Sequence, residues 1–122
     1  KKHDIYFMGY VNNIQDYMKR SDFLCMTSKF EGLPITLLES AANGLVPIVT
    51  PVPGILDVIV DDYNGIISQN ESVDEYINAL HRAINMDPLI KKKMISNGKS
   101  LYFDKYSMDR CEKEYYSCYA NI

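Results

Sequence analysis

The sequence predicts an α/β fold in which helices cover both faces of a parallel sheet, a doubly wound arrangement. Short apolar runs alternate with segments of helical periodicity along the 122 residues. One run, 46–50, is continuously apolar, which is typical of a strand buried on both faces. Because ligands of such sheets bind beyond the carboxyl ends of the strands, we expect the functional site at that edge.

Four strands are predicted, each a short apolar run bounded by turn or loop residues: 5–8, 23–27, 46–50 and 66–68. The last one follows the pair Asn64-Gly65, which is typical of a turn. Residues 51–54, P-V-P-G, are predicted to be loop. The segments that follow the first three strands are therefore expected around one crevice: 9–11, 27–33 and 50–55.

The first two helices are predicted between the strands. One begins after Asn13, a candidate N-cap, and carries apolar residues at helical spacing at positions 14, 17 and 18. The other runs from Pro34, which suits a first helical position, to Asn43. Gly44 then stands just past its end, where glycine is favoured.

Three further helices are marked by their N-terminal residues. Ser72 to Glu75 forms a capping box, Asp87-Pro88 starts a second helix, and Ser107 is expected to cap the last one. The apolar face of the capping-box helix is predicted to be Val73, Ile77, Leu80 and Ile84. The last helix carries an apolar stripe, expected mainly as core packing and in part as an interface: Met108, Cys111, Tyr115, Cys118, Tyr119 and Ile122.

Composition and charge narrow the functional class. The net charge of −3 argues against nucleic acid as a partner, and the basic run 91–93 is expected to be a solvated face. The three cysteines, at 25, 111 and 118, fit neither a disulfide framework nor a metal site. We expect free thiols, with Cys25 buried in its strand, and a cytoplasmic location. No apolar run is long enough for a membrane helix, and the missing initial Met suggests that an upstream part was removed.

Segment 28–39, S-K-F-E-G-L-P-I-T-L-L-E, is the most informative part of the chain. It joins a strand end, a glycine loop and a helix N-terminus, whose unpaired N–H groups attract phosphate. Gly32 lets a ligand approach the backbone, and Glu39 can accept hydrogen bonds from a ribose diol. The same residues also suit an ordinary solvated helix, with Glu31 stabilised near its N-terminus. The pattern alone therefore indicates a phosphate-like ligand and goes no further.

A family resemblance extends this interpretation. The run E-G-L-P-I-T-L-L-E, with seven residues between its carboxylates, is similar to the E-x7-E signature of group-1 glycosyltransferases. Further family-like runs precede and follow it in the family's order: F-M-G-Y-V, S-A-A-N-G-L-V-P-I-V-T, V-P-G-I-L-D-V-I and N-G-I-I. The chain departs from the family in having Pro53-Gly54 for a glycine pair and Asp57 for a glutamate. Both changes are expected to retune the loop.

The resemblance implies a role for each matching residue. Glu31 matches the carboxylate that contacts the donor sugar near the reacting anomeric carbon, and Glu39 matches the one that binds the ribose hydroxyls. The segments expected against the diphosphate and the base are Gly32, Leu33 and Pro34, and Gly9, Tyr10 and Val11, respectively. The donor would be a nucleoside diphosphate sugar, and no metal or other cofactor is expected.

The resemblance also implies a Rossmann-like half of a GT-B fold. Residues 1–122 would be a partial nucleotide-sugar-binding domain, with 105–122 packing toward an N-terminal acceptor domain. Two strand–helix units carrying a cationic clamp, and the acceptor domain, are expected outside this chain. The chain alone would then be inactive. It would also leave an unpaired sheet edge, to be covered by a second copy or by rearranged pairing.

Three functions remain in competition. The favoured one transfers a sugar to an acceptor hydroxyl with retained anomeric configuration, with polysaccharide synthesis as its setting. A non-catalytic nucleotide- or sugar-binding module would use Glu31 and Glu39 equally well. A response-regulator-like signalling domain is disfavoured, because residues 26–28 supply no aspartate at the strand end.

Overall fold

The sheet is parallel, and β2 is its central strand. The structure, a computed structural model, describes residues 4–122, and these form three strands in the order β1-β2-β3. The strands are β1 (Phe23–Met26), β2 (Val46–Val49) and β3 (Ile66–Ile67). Phe23 pairs with Val46, and Ile48 with Ile66. The predicted parallel sheet is confirmed for these three strands.

One helix precedes β1, each strand is followed by a helix, and helices make up the last third of the chain. Those in the described part are α1 (Ile14–Lys19), α2 (Ile35–Asn43), α3 (Pro53–Leu56), α4 (Val73–Ile84), α5 (Pro88–Leu101) and α6 (Met108–Ala120). A π-helical turn, Tyr102–Tyr106, joins α5 to α6. The predicted loop at 51–54 is partly wrong, since α3 begins at Pro53, a residue pre-organised for a first helical position.

Core residues cover both faces of the sheet, so the doubly wound prediction is confirmed. All four residues of β2 are buried, as its apolar run predicts. On one face Val49 packs with Leu37 of α2 and Ile55 of α3. On the other face Val46 and Ile48 pack against residues of α4 and α5: Ala79, Ala83 and Met94. This arrangement leaves the loops at the carboxyl ends of the strands free to form a site.

Most of the predicted helix ends are confirmed. Ser72 and Ser107 accept hydrogen bonds from the backbone N–H of Glu75 and Arg110, and Asp87 caps α5 in the same way. Gly44 follows α2 in the left-handed conformation, with φ of 80°. Two details differ: Pro34 is the N-cap of α2 rather than its first residue, and the Asn13 side chain makes no cap bond to α1.

The predicted strand at 5–8 is wrong. Residues 5–8 are irregular and exposed, with Phe7 97% accessible. A strand requires a hydrogen-bonded neighbour, and within residues 4–122 the sheet contains only β1, β2 and β3. The apolar composition of this segment alone therefore does not make it a strand.

The predicted apolar face of α4 is only partly right, since Leu80 packs against the core but the other three residues are exposed. Val73 and Ile84 are 75% and 74% exposed, whereas Ala79 and Ala83 are 1% and 2% exposed. Ala79 and Ala83 belong to the buried cluster on this face of the sheet, and Leu80 is partly buried against it.

Cys25 and the apolar stripe of α6, both expected in the core, lie largely at the surface. Cys25 is exposed because β1 pairs with β2 on one side only in the described part of the chain. The stripe of α6 is largely exposed as well, for example at Tyr115 and Ile122, so its expected core packing is wrong. The interface expected there stays a prediction.

The two edges of the sheet differ. On β3 the N–H of Ile67 donates to Asp61 at 2.7 Å, and its carbonyl accepts from Arg82 at 3.1 Å. These side chains occupy backbone groups that would otherwise be open to another strand. Across residues 4–122, the hydrogen bonds show no similar side-chain cover on the outer edge of β1. The edge of β1 is therefore the open one.

The basic run at 91–93 is only partly solvated. Lys91 is half-buried: its Nζ lies 2.5 Å from Asp22 and 4.8 Å from the centre of the Phe23 ring. Residues 92 and 93 are exposed as predicted. In the part of the chain that the structure describes, no helix has the length and apolarity to cross a membrane.

Candidate functional site

Two loops meet at the carboxyl ends of β1 and β2. The β1 loop, residues 27–34, leads into α2, and the β2 loop, residues 50–52, leads into α3. Thr50 is 3% exposed and donates its hydroxyl to the carbonyl of Ser28 at 2.5 Å. The buried end of the central strand thus holds the start of the β1 loop.

A second contact between the loops involves Gly54. A Cβ built on Gly54 would overlap the carbonyl oxygens of Gly32 and Glu31. Glycine at this position therefore allows the two backbones to touch. Pro53, which replaces the first glycine of the family pair, is exposed, so this departure does not disturb the contact.

Glu31, the first predicted carboxylate, has a defined orientation. Its side chain is half-buried, and its Oε1 accepts a hydrogen bond from the hydroxyl of Ser28 at 2.6 Å. Because the Thr50 hydroxyl holds the Ser28 backbone, the carboxylate is linked through two hydrogen bonds to the end of β2.

Glu39, the second predicted carboxylate, lies in α2 and is contacted from α1. Gln15 donates its Nε2 to Glu39 Oε1 at 3.3 Å. Asn43 donates its amide to Gln15 Oε1 at 2.7 Å and to the Glu39 carbonyl at 2.9 Å. Sequence reasoning missed Gln15, since no local pattern joins it to a residue 24 positions away.

The N-terminus of α2 lies between these two carboxylates along the chain. Its N-cap is Pro34, and no side chain among the described residues caps it. Gly32 and Leu33 are exposed, Pro34 is buried, and a Cβ on Gly32 would meet nothing within 4 Å. Exposed backbone N–H groups at a helix N-terminus, next to open space, suit an anion.

The predicted base-contact segment makes no hydrogen bond to this loop in the described part of the chain. Gly9 has φ of 62°, Tyr10 is almost fully exposed, and Val11 is half-buried. Within residues 4–122 the structure shows no hydrogen bond from 9–11 to the segment 28–39. Segment 9–11 is connected to the site through the chain, because it is followed by α1, whose Gln15 contacts Glu39.

A cavity of about 380 Å³ lies on the other side of the strand ends, between Thr27, Lys29 and Thr50 and the first turns of α4. At its base the hydroxyl of Tyr76 donates to the carbonyl of Ile48 at 2.7 Å. Burial raises the pKa of Tyr76 above its ordinary value, and the thiol of Cys25 adds to the effect. Tyr76 therefore remains a hydrogen-bond donor to a higher pH than an exposed tyrosine does.

No group of three or more His, Cys, Asp or Glu side chains in residues 4–122 is arranged to hold a metal ion. The expectation that this site needs no metal or other cofactor stays a prediction. The three cysteines are free thiols, as predicted.

The fold and the site together define the class of protein. It is an α/β domain with one acidic side chain before, and one after, the start of a helix. The family model for glycosyl transferases group 1 matches residues 1–101, and the chain belongs to this family. An uncharacterised glycosyltransferase of Methanocaldococcus jannaschii is 28% identical over 120 residues. The match covers 97% of this chain and 30% of that relative, so the chain spans less than a third of its length.

Solved structures give the same fold. The C-terminal domain of a group 1 glycosyl transferase family protein from Francisella tularensis matches with a TM-score of 0.71 and 28% identity, over 85% of this chain and 53% of that one. HepE from Anabaena, solved in complex with UDP, matches with a TM-score of 0.87 and 16% identity. That match covers 95% of this chain and 32% of HepE. The predicted family and the predicted GT-B-type fold are confirmed.

Proposed function

We propose that this chain binds the donor in a glycosyltransferase that moves a sugar from a nucleoside diphosphate sugar to an acceptor hydroxyl, with retained anomeric configuration. One observation carries the proposal. Glu31, in the loop before α2, and Glu39, in the second turn of α2, are each oriented by a hydrogen bond, and no described side chain caps the N-terminus of that helix.

The chemistry of the site divides the donor into four parts: diphosphate, ribose, sugar and base. The N–H groups at the start of α2 suit the diphosphate, because the helix dipole favours negative charge there. Glu39 would accept hydrogen bonds from the two ribose hydroxyls, which offset the unfavourable placement of a carboxylate near phosphate. Glu31, in the loop, would contact the donor sugar near the reacting carbon. Gly9, Tyr10 and Val11 would border the base.

The structural neighbours support a nucleotide sugar as the donor. Crystal structures of Anabaena HepE contain UDP, UDP and glucose, or UDP-glucose. At 16% identity they share the fold of this chain, and the nucleotide is therefore a proposal here.

The proposal assigns the remaining functions to other parts of the enzyme. An N-terminal domain would bind the acceptor, and the chain alone would be inactive. The setting would be polysaccharide synthesis in the cytoplasm.

The open edge of β1 would pair with a further strand. In the isolated chain, we expect that strand to come from a second copy of the chain.

A binding titration tests the donor site. The intact protein would be titrated with UDP, GDP, ADP and their sugars, with Glu39→Ala and the exposed Glu112→Ala of α6 as matched variants. Losing the hydrogen bonds to a charged group costs about 1.5–3 kcal/mol, so Glu39→Ala should weaken binding roughly ten- to a hundredfold. Glu112→Ala should bind as the wild type does. Equal affinity in all three proteins, or no binding of any nucleotide by the wild type, would contradict the proposed site.

A further inference from the structure

The hydrogen bonds around Glu31 form a short relay that starts in the core. Thr50, at the buried end of β2, donates to the carbonyl of Ser28 at 2.5 Å. The hydroxyl of Ser28 in turn donates to Glu31 Oε1 at 2.6 Å. This second distance is within the range of charge-assisted O–H···O⁻ bonds, which are about twice as strong as neutral ones.

The relay is fixed at its base. The Thr50 hydroxyl is buried with its residue, and losing its partner would leave a buried polar group unpaired. Gly54 packs against the carbonyls of Glu31 and Gly32 from the next loop. The Ser28 hydroxyl therefore holds the Glu31 carboxylate in a loop whose backbone is itself held at two points.

Glu39 is held differently. Its hydrogen-bond partner is Gln15 of α1, and Gln15 is held by Asn43 of α2. The two carboxylates thus depend on separate sets of residues, one from the strand ends and one from the pair of helices. A change in one set should leave the other carboxylate in place.

We propose that Ser28, anchored by Thr50, is a positioning residue that sets the Glu31 carboxylate for the sugar half of the donor. This inference rests on the proposed function, in which Glu31 contacts the sugar and Glu39 the nucleoside. Functional groups are held within about 0.5 Å of their productive geometry by locked supporting residues, and the Ser28 hydroxyl gives the loop carboxylate such a support.

The test compares a nucleoside diphosphate with its sugar conjugate in the intact protein. The probes are UDP, UDP-glucose, UDP-galactose, GDP and GDP-mannose, and the pair that the wild type binds most tightly is used. In Ser28→Ala the affinity for the diphosphate should stay within about twofold, while the affinity for its sugar should fall roughly tenfold. Ser28→Thr keeps the hydroxyl and should restore the sugar affinity.

Two further variants separate positioning from a general structural effect. Ser21→Ala removes a hydroxyl bonded to the Tyr17 carbonyl at the end of α1, and should change neither affinity. Gln15→Ala should lower the affinity for the diphosphate and the affinity for its sugar conjugate by the same factor. Three outcomes would overturn the inference but leave the proposed function standing. They are equal losses of affinity for both ligands in Ser28→Ala, no loss for either, and failure of Ser28→Thr to restore the sugar affinity. No binding of any probe by the wild type would overturn the proposed function and the inference with it.

Discussion

Gly54 and Gly32 lie in direct backbone contact, and a side chain at position 54 would occupy the space of the Gly32 carbonyl oxygen. The contact joins the loop after β1 to the start of α3. It fixes the segment that carries Glu31 against the end of the central strand. The glycines have opposite surroundings, since a Cβ on Gly32 would meet nothing within 4 Å.

This contrast predicts different results for two alanine substitutions. Gly54→Ala should lower the free energy of unfolding by about 1–3 kcal/mol, because the loops must separate to admit the methyl group. Gly32→Ala should change stability little and weaken nucleotide binding, because the methyl group would enter the open space beside the α2 N-terminus. Urea unfolding and nucleotide titration measure the two effects. Equal stability of both variants would contradict the close contact.

The link between α1 and α2 gives a second prediction. Gln15→Ala should weaken nucleotide binding about threefold to tenfold. The Glu39 carboxylate loses an amide donor at 3.3 Å, a long hydrogen bond whose net contribution is roughly 0.5–1.5 kcal/mol. The matched control is Gln69→Ala, an exposed glutamine in the loop after β3. Calorimetric titration measures both. If Gln69→Ala and Gln15→Ala lost the same affinity, the contact with Glu39 would have no part in the effect.

The raised pKa of Tyr76 predicts how stability depends on pH. Above pH 10 the unfolded chain loses its phenol proton while the folded protein, in which burial raises the pKa of Tyr76, keeps it. This contribution to stability is complete below pH 10 and decreases as the pH rises further. Tyr76→Phe should therefore show a shallower loss of stability in urea unfolding between pH 9.5 and about pH 11.

The exposed tyrosine Tyr116 of α6 supplies the comparison. Tyr116→Phe should follow the wild-type pH dependence. A wild-type slope in Tyr76→Phe would show that another group titrates in this range.

The open edge of β1 predicts association of the isolated chain. Sedimentation should show a concentration-dependent dimer, and Cys25→Lys should shift it to monomer, because a charge on an edge strand opposes pairing. Cys118→Lys places the same change on α6 and should leave the dimer intact. A monomer at every concentration would refute edge pairing, and loss of the dimer only in Cys118→Lys would assign it to α6.

Local sequence patterns determined much of this protein. The continuous apolar run of β2, the caps Ser72, Asp87 and Ser107, and Gly44 after α2 lie where the sequence places them. These features depend on neighbours within a few residues, or on burial that one strand's composition reveals. The glycosyltransferase family was also evident from ordered motifs, since their spacing along the chain is itself a sequence property.

The tertiary structure decided what depends on distant partners. Residues 5–8 have the composition of a strand but no neighbour to pair with in the described sheet. The buried face of α4 includes Ala79 and Ala83, which apolar periodicity alone did not single out and which pack with Val46 and Ile48 of β2. The hydrogen bonds from Thr50 to Ser28 and from Gln15 to Glu39 likewise depend on which strand ends and helices meet in space. Hydrogen bonds between residues more than 20 positions apart leave no local pattern in a sequence, and only the folded chain brings those groups together.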